Sequence, residues 1–113
     1  MDDCIFCKII REEIPSQRVL EDGEFIAIRD IAPKAPVHVL VMPREHLASL
    51  DEIGRWDGGR AEKLLHFTVA VAEAAGVRES GYRVIINVGP DAGQEVDHLH
   101  LHVLGGERLG GLA

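Results

Sequence analysis

A chain of 113 residues with 19 acids against 12 Lys and Arg, a net charge of −7, has room for one domain and a moderate core. That charge has the wrong sign for neutralising a nucleic-acid backbone, so no nucleic-acid partner is expected, whereas a small phosphorylated ligand in a locally positive pocket remains open. Hydrophobic residues make up 46%, yet no apolar run approaches the roughly 18 residues that cross a bilayer, and the acidic start before a short apolar stretch argues against a secretory signal; a cytoplasmic protein with no membrane partner is expected.

Taken in chain order, residues 4–10 predict a short helical turn, closed by Pro15. Residues 18–22 and 24–29 predict two strands joined at Asp22-Gly23, a strong hairpin signal. Two prolines three apart make Ala32 to Pro36 a loop. Val37 to Met42, rich in β-branched residues and ended by Pro43, predicts a strand. Glu45 to Ile53 fits a short helix. Asp57 can cap a longer one running to about Ala75, with Ala61, Leu64, Leu65, Thr68, Ala72 and Ala75 on one stripe and Gly76 as the stop. Tyr82 to Val88 and His98 to Leu104 predict two further strands, separated by the turn-rich Gly89 to Gly93. Strands and helices segregate, which favours an α+β fold with an antiparallel sheet.

Residues 96–104 read Val-Asp-His-Leu-His-Leu-His-Val-Leu. Strand side chains alternate between faces, so His98, His100 and His102 share one face and Leu99, Leu101 and Val103 the other. Imidazole is neutral near pH 7 and can attack or move protons, which points to catalysis. A facial metal site, structural histidines or a solvated polar face are the alternatives. Gly93-Gln94-Glu95-Val96 lies just upstream, where glycine permits close approach of backbone to an anion. Cys4 and Cys7 are the only cysteines. In a reducing compartment their C-x-x-C spacing points to metal binding before a disulfide, with redox activity or plain buried thiols as alternatives. His66 falls in mid-helix and reads as a surface residue.

The run His-Leu-His-Leu-His-Val-Leu resembles the His-φ-His-φ-His-φ-φ signature of the histidine triad (HIT) superfamily, φ being apolar. The similarity extends over Phe6 to Pro15, Asp30 to His38, Asn87, Gly93-Gln94 and His98 to Gly106, in the order the family has them. The ending His-Val-Leu-Gly-Gly resembles the Hint branch of purine nucleoside phosphoramidases, in the form of its bacterial members.

The resemblance implies one HIT domain over 1–113, with 1–15 a metal-binding segment and 107–113 a C-terminal tail. It implies a five-stranded antiparallel sheet with two main helices, and a homodimer whose sheets join into one of ten strands. The implied activity is hydrolysis at the α-phosphate of nucleoside phosphoramidates or related adenylated conjugates. By family correspondence His100 is the nucleophile, forming a nucleotidyl-histidine with its far nitrogen held by a main-chain carbonyl. His102 lies near the phosphate and leaving group, His98 completes the triad, and His38 is a fourth histidine beside it. Asp30 corresponds to the ribose carboxylate. Phe6, Ile9 and Ile31 correspond to the apolar positions around the base, and Asn87, Gly93, Gln94 and Glu95 to the phosphate-binding positions. Glu95 stands where many Hint-type proteins carry Ser or Thr, and Asp97 where Tyr or Phe is frequent. By similarity to zinc-bearing relatives, Cys4, Cys7, His46 and His98 would hold structural zinc. A dinucleoside polyphosphate hydrolase and a zinc-stabilised nucleotide-binding module without turnover are the rival functions.

Overall fold

The computed structural model describes residues 3–111, so the outer ends of the expected 1–15 segment and 107–113 tail lie outside the described residues. Helix α1 (Ile5–Ile10) leads into β1 (Arg18–Glu21), β2 (Phe25–Arg29) and β3 (Val37–Pro43). A 3-10 turn (Leu50–Arg55) and helix α2 (Arg60–Ala74) then precede β4 (Tyr82–Ile85) and β5 (Leu101–Gly105). The strands form a single antiparallel sheet in the order β1-β2-β3-β5-β4, as the α+β reading requires. The hairpin turns where expected, with Asp22 Oδ1 accepting from the main-chain N–H groups of Glu24 and Phe25, both at 2.8 Å, the Asx-type closure that suits aspartate to turns.

The two-residue period of the strands divides the core. Phe25, Ala27, Val39, Val41, Leu101 and Val103 face α2 and meet Leu64, Phe67 and Val71. Ile26, Ile28, Leu40 and Met42 face the other way and pack on Phe6 and Ile9 of α1. Each fully buried aliphatic or aromatic side chain contributes about 1.5–3 kcal/mol, so both faces hold the sheet, and the second carries α1 with it.

Three expectations about the helices shift, each for an identifiable reason. The stripe of α2 is Leu64, Phe67, Thr68, Val71 and Ala72, whereas Ala61 and Leu65 are exposed; the helix is rotated to seat the Phe67 ring against Phe25, centroids 5.5 Å apart. Asp57 does not cap it. Gly58 and Gly59, both with positive φ, occupy the turn, and Gly59 is the N-cap. The C-terminus ends as read at Gly76, where bonds from Gly76 N to Glu73 O and Val77 N to Ala72 O complete a Schellman motif. The helix expected over 45–53 begins only at Leu50, because the Leu47 carbonyl is taken by Leu99 N–H at 2.7 Å and Leu47 itself is fully buried.

The last two strands are shorter than expected for one shared reason. The Leu99 N–H turns to the Leu47 carbonyl and the His98 N–H to that of Val96 instead of to the neighbouring strand, so β5 starts at Leu101, opposite Val41. With no partner beyond residue 101, β4 stops at Ile85. At the far end of β5 a Cβ on Gly105 would come within 3.0 Å of Val77, and Gly106 holds φ +91 against Pro36.

Candidate active site

His98 and His100 are buried and lie before the β5 ladder; His102 is half-buried within it. Extended backbone nevertheless keeps the alternation, since Leu99, Leu101 and Val103 all enter the α2 core. The three imidazoles share the opposite face, with the His100 and His102 centroids 5.1 Å apart. The Phe6 ring sets its edge against both His98 (5.9 Å) and His100 (5.0 Å).

Main-chain groups decide which nitrogen of each ring carries the proton. A carbonyl can only accept, so the ring nitrogen facing one must donate. His100 Nδ1 is 2.7 Å from the His98 carbonyl; its Nε2 is left with a lone pair. His98 Nε2 is 2.8 Å from the Pro43 carbonyl, which leaves the lone pair on Nδ1. His38 is fixed the opposite way: Lys34 N–H donates to its Nδ1 at 3.0 Å, so Nε2 bears the hydrogen. That Nε2 lies 2.9 Å from His102 Nδ1 and 3.4 Å from Asp30 Oδ2. The donation makes His102 Nδ1 an acceptor and puts the His102 proton on Nε2. Burial, opposed by Asp30, holds the His38 pKa below its ordinary value. Burial, with His100 adding to it, lowers that of His102 to about 4; Asp30 and Glu95 pull weakly the other way. Both rings are neutral at pH 7.

The Cys4, Cys7, His46 and His98 side chains converge elsewhere on this face, each donor atom within 4.8 Å of the others. Sulfur and nitrogen are separated by 3.5 Å (Cys4–His98), 3.3 Å (Cys7–His46) and 3.6 Å (Cys7–His98), and the two Nδ1 atoms by 3.2 Å. A tetrahedral ion with ~2.3 Å bonds to sulfur and ~2.05 Å bonds to nitrogen would space its ligands by about 3.5 Å and about 3.3 Å. The cluster therefore has the dimensions and donor chemistry of a metal site, and the four residues could hold an ion. Burial, reinforced by Cys4, pushes the Cys7 thiol up to about 11, and burial takes His98 down to about 4. A cation would reverse the first and exploit the second, since it needs thiolate and neutral imidazole.

The remaining expected residues occupy varied settings. Asp30 is half-buried, with Oδ1 accepting from Ala32 N–H. Phe6 and Ile9 are buried, whereas Ile31 is 98% exposed. Asn87 is half-buried just beyond β4 and Gly93 takes positive φ. Gln94 is wholly engaged by main-chain groups: its amide accepts from Gly89 N–H and donates to the carbonyls of Ala48 and Val96. Its side chain is a strut for the loop. Glu95 is exposed and, with Asp3 and Asp97, lines a cavity of about 330 Å³ beside Cys4 and His46. His66 is exposed and pairs with Glu62.

A family model for the HIT domain matches residues 11–109. The chain belongs to the HIT family. A relative from Escherichia coli K12, purine nucleoside phosphoramidase, is 39% identical over 109 residues, covering 96% of this HIT chain and 92% of that protein. Among solved structures, a histidine triad protein from Clostridium difficile is 42% identical with a TM-score of 0.92, covering 100% of this chain and 98% of the other. A HIT family hydrolase from Legionella pneumophila gives 42% and 0.89, covering 96% of each. The five-stranded antiparallel sheet is the HIT fold of these neighbours.

Three features of this HIT site escape sequence reading: the Lys34 amide under His38, the Pro43 carbonyl under His98 and the edge contacts of Phe6. The first two are main-chain groups, which any residue supplies, so no side-chain pattern marks them.

Proposed function

We propose that this HIT protein is a hydrolase that releases a nucleoside monophosphate from phosphoramidates or related adenylated conjugates. The observation that carries the reading is the 2.7 Å contact between His100 Nδ1 and the His98 carbonyl, which leaves the opposite nitrogen with a free lone pair. Near pH 7 that Nε2 attacks the α-phosphorus, and the bond to the leaving amine or acyl oxygen breaks. His102 Nε2–H, held as a donor by His38, stabilises charge on the phosphoryl oxygens and on the departing group, which leaves with a proton from solvent. Water then attacks the nucleotidyl-histidine, gives up its second proton to solvent as the nucleoside monophosphate departs, and frees His100. Dividing one difficult displacement into two is what a histidine nucleophile contributes.

Binding follows the same face. The Asp30 carboxylate accepts from ribose hydroxyls, and an Ile31 that is 98% exposed gains by covering a purine base, with Phe6 and Ile9 behind it. Asn87, Gly93 and the main-chain N–H of Glu95 serve the phosphate on the loop that Gln94 braces. Zinc suits the Cys4, Cys7, His46 and His98 set, where it would crosslink the N-terminal segment to the sheet and supply no chemistry of its own. Reduced thiols at such a site fit a cytoplasmic protein; no described helix is long and apolar enough to cross a membrane. A homodimer with a ten-stranded sheet would be built across the outer edge of β4, where Val84 is exposed.

Purified protein incubated with an adenosine 5′-phosphoramidate is expected to release AMP, and acid-quenched samples to carry one nucleotidyl group on His100. His100→Ala should remove both. Turnover in that variant above the uncatalysed background would reject the mechanism.

A further inference from the structure

The nucleophile's segment is not part of the sheet. Ladder pairing of β5 begins at Leu101, one residue after His100, so the sheet does not set where that imidazole points. Residues 98–100 are held by the Leu99 side chain buried in the α2 core, the Leu99 N–H bond to Leu47, the His98 N–H bond to Val96, the His98 ring bond to Pro43, and the Cys4–Cys7–His46–His98 cluster. Two physical routes run from that cluster to His100. One passes through a single residue: the His98 ring belongs to the cluster, and the His98 carbonyl accepts the His100 Nδ1 proton at 2.7 Å. The other passes through α1, whose N-cap is Cys4 and which contains Cys7. That short helix carries Phe6, whose edge lies against the His100 ring, centroids 5.0 Å apart. One contact sets the tautomer of the ring and the other its tilt.

We propose that the cluster is a positioning device for His100: a divalent metal held by Cys4, Cys7, His46 and His98 fixes the His98 carbonyl and the Phe6 ring, and through them presents His100 Nε2 to phosphorus. The role assigned to Nε2 rests on the hydrolase reading above; the coupling itself does not. Without the ion, only weak S–H contacts, Cys4 to His98 and Cys7 to His46, tie the four groups together. The segment 98–100 then loses one of its few anchors, and His100 its single tautomer.

The test uses the full chain with ¹⁵N-labelled histidine, loaded with zinc and then stripped by a chelator. With zinc, His100 is expected to show one tautomer, protonated at Nδ1, with a ring-to-ring nuclear Overhauser contact to Phe6. After stripping, its two nitrogen signals should move toward each other and the Phe6 contact should fade, while the amides of Val39, Val41 and Val103 stay in place. Zinc should restore the first state. A His100 ring unchanged by stripping, in an intact sheet, overturns the proposal. Should the stripped chain unfold, Cys4→Ser keeps three ligands and is compared with Val71→Ala, which weakens the core away from the site. Turnover per folded molecule should fall about 10- to 100-fold in the first, the usual effect of disturbing a ligand's supporting partner, and hold in the second; equal turnover per folded molecule overturns the coupling. A zinc-responsive His100 in a chain that releases no nucleoside monophosphate keeps the coupling and discards the hydrolase reading.

Discussion

At one end of the face that carries His100, Cys4, Cys7, His46 and His98 turn sulfur and nitrogen lone pairs toward a common point; at the other, Asp30, His38 and His102 pass hydrogens from atom to atom. Both groups combine histidines with acidic or thiol ligands at short range, and composition does not tell them apart. The main chain does. The Pro43 carbonyl takes the hydrogen of His98 Nε2 and so frees Nδ1 for a cation. The Lys34 amide occupies His38 Nδ1 and so keeps a hydrogen on Nε2, where a cation would need a lone pair. The first cluster could hold a metal with its hydrogens as they stand, whereas the second would first have to give up the hydrogen on His38 Nε2.

Metal content breaks or sharpens this contrast most sharply. Purified protein should hold one divalent ion per chain by elemental analysis, and excess zinc should add no second tight site at Asp30, His38 and His102. Removing the ion should lower the melting temperature by about 15 °C, taking saturation near a thousandfold over Kd as worth about 4 kcal/mol. Two tight ions per chain, or a melt indifferent to chelation, would dissolve the distinction.

His38 tests the other half. His38→Leu strands the Lys34 N–H and removes the donor to His102; stability should fall by about 2 kcal/mol and AMP release by about 100-fold. His38→Gln offers an acceptor and a donor on one side chain, so it should recover most of the lost activity. Equal damage from both, in urea melts and turnover assays, would mean that ring shape matters and the hydrogen chain does not.

A smaller effect belongs to pH. His102 is neutral in the folded chain down to about 4, whereas a free imidazole protonates near 6.5. Between those values the unfolded chain binds the extra proton, so stability declines as pH drops from about 6.5 to about 4. Urea midpoints across that range should fall steadily, and the slope should shrink in His102→Asn. Smallest of all is His66→Ala, a histidine in neither cluster; its exposed pairing with Glu62 is worth about 0.5 kcal/mol or less, with turnover unchanged.

The sheet was legible because apolar runs at 24–29 and 37–42, the second rich in β-branched residues, are bounded by strong turn chemistry at Asp22-Gly23 and Pro33 to Pro36. The triad was legible from period-two alternation, with Leu99, Leu101 and Val103 marking the side that faces α2. The reading failed where a tertiary bond overrode local preference: the Leu47 carbonyl, given to Leu99, both delays the 3-10 turn and cuts β5 short. It failed again on α2, where Phe67 and not Leu65 faces the sheet; a stripe built on leucine and alanine is ambiguous by one position until the partner surface is known. The His100 tautomer was implied by the family resemblance, through a main-chain carbonyl; the bracing role of Gln94 and the carbonyl under the His98 ring lay beyond sequence, since they depend on the main chain of Ala48 and Pro43, brought from distant segments.

The pair Gly105-Gly106 began as a marker of kinship and ends as a matter of space. Val77 crowds the first residue and the left-handed turn at the second presses on Pro36, so the chain can leave β5 in one direction only. Beyond that exit, residues 106–111 lie largely in solvent, with a bond from Arg83 to the Gly110 carbonyl. A side chain added at either glycine would therefore redirect everything that follows, and with it the carbonyl that Arg83 holds.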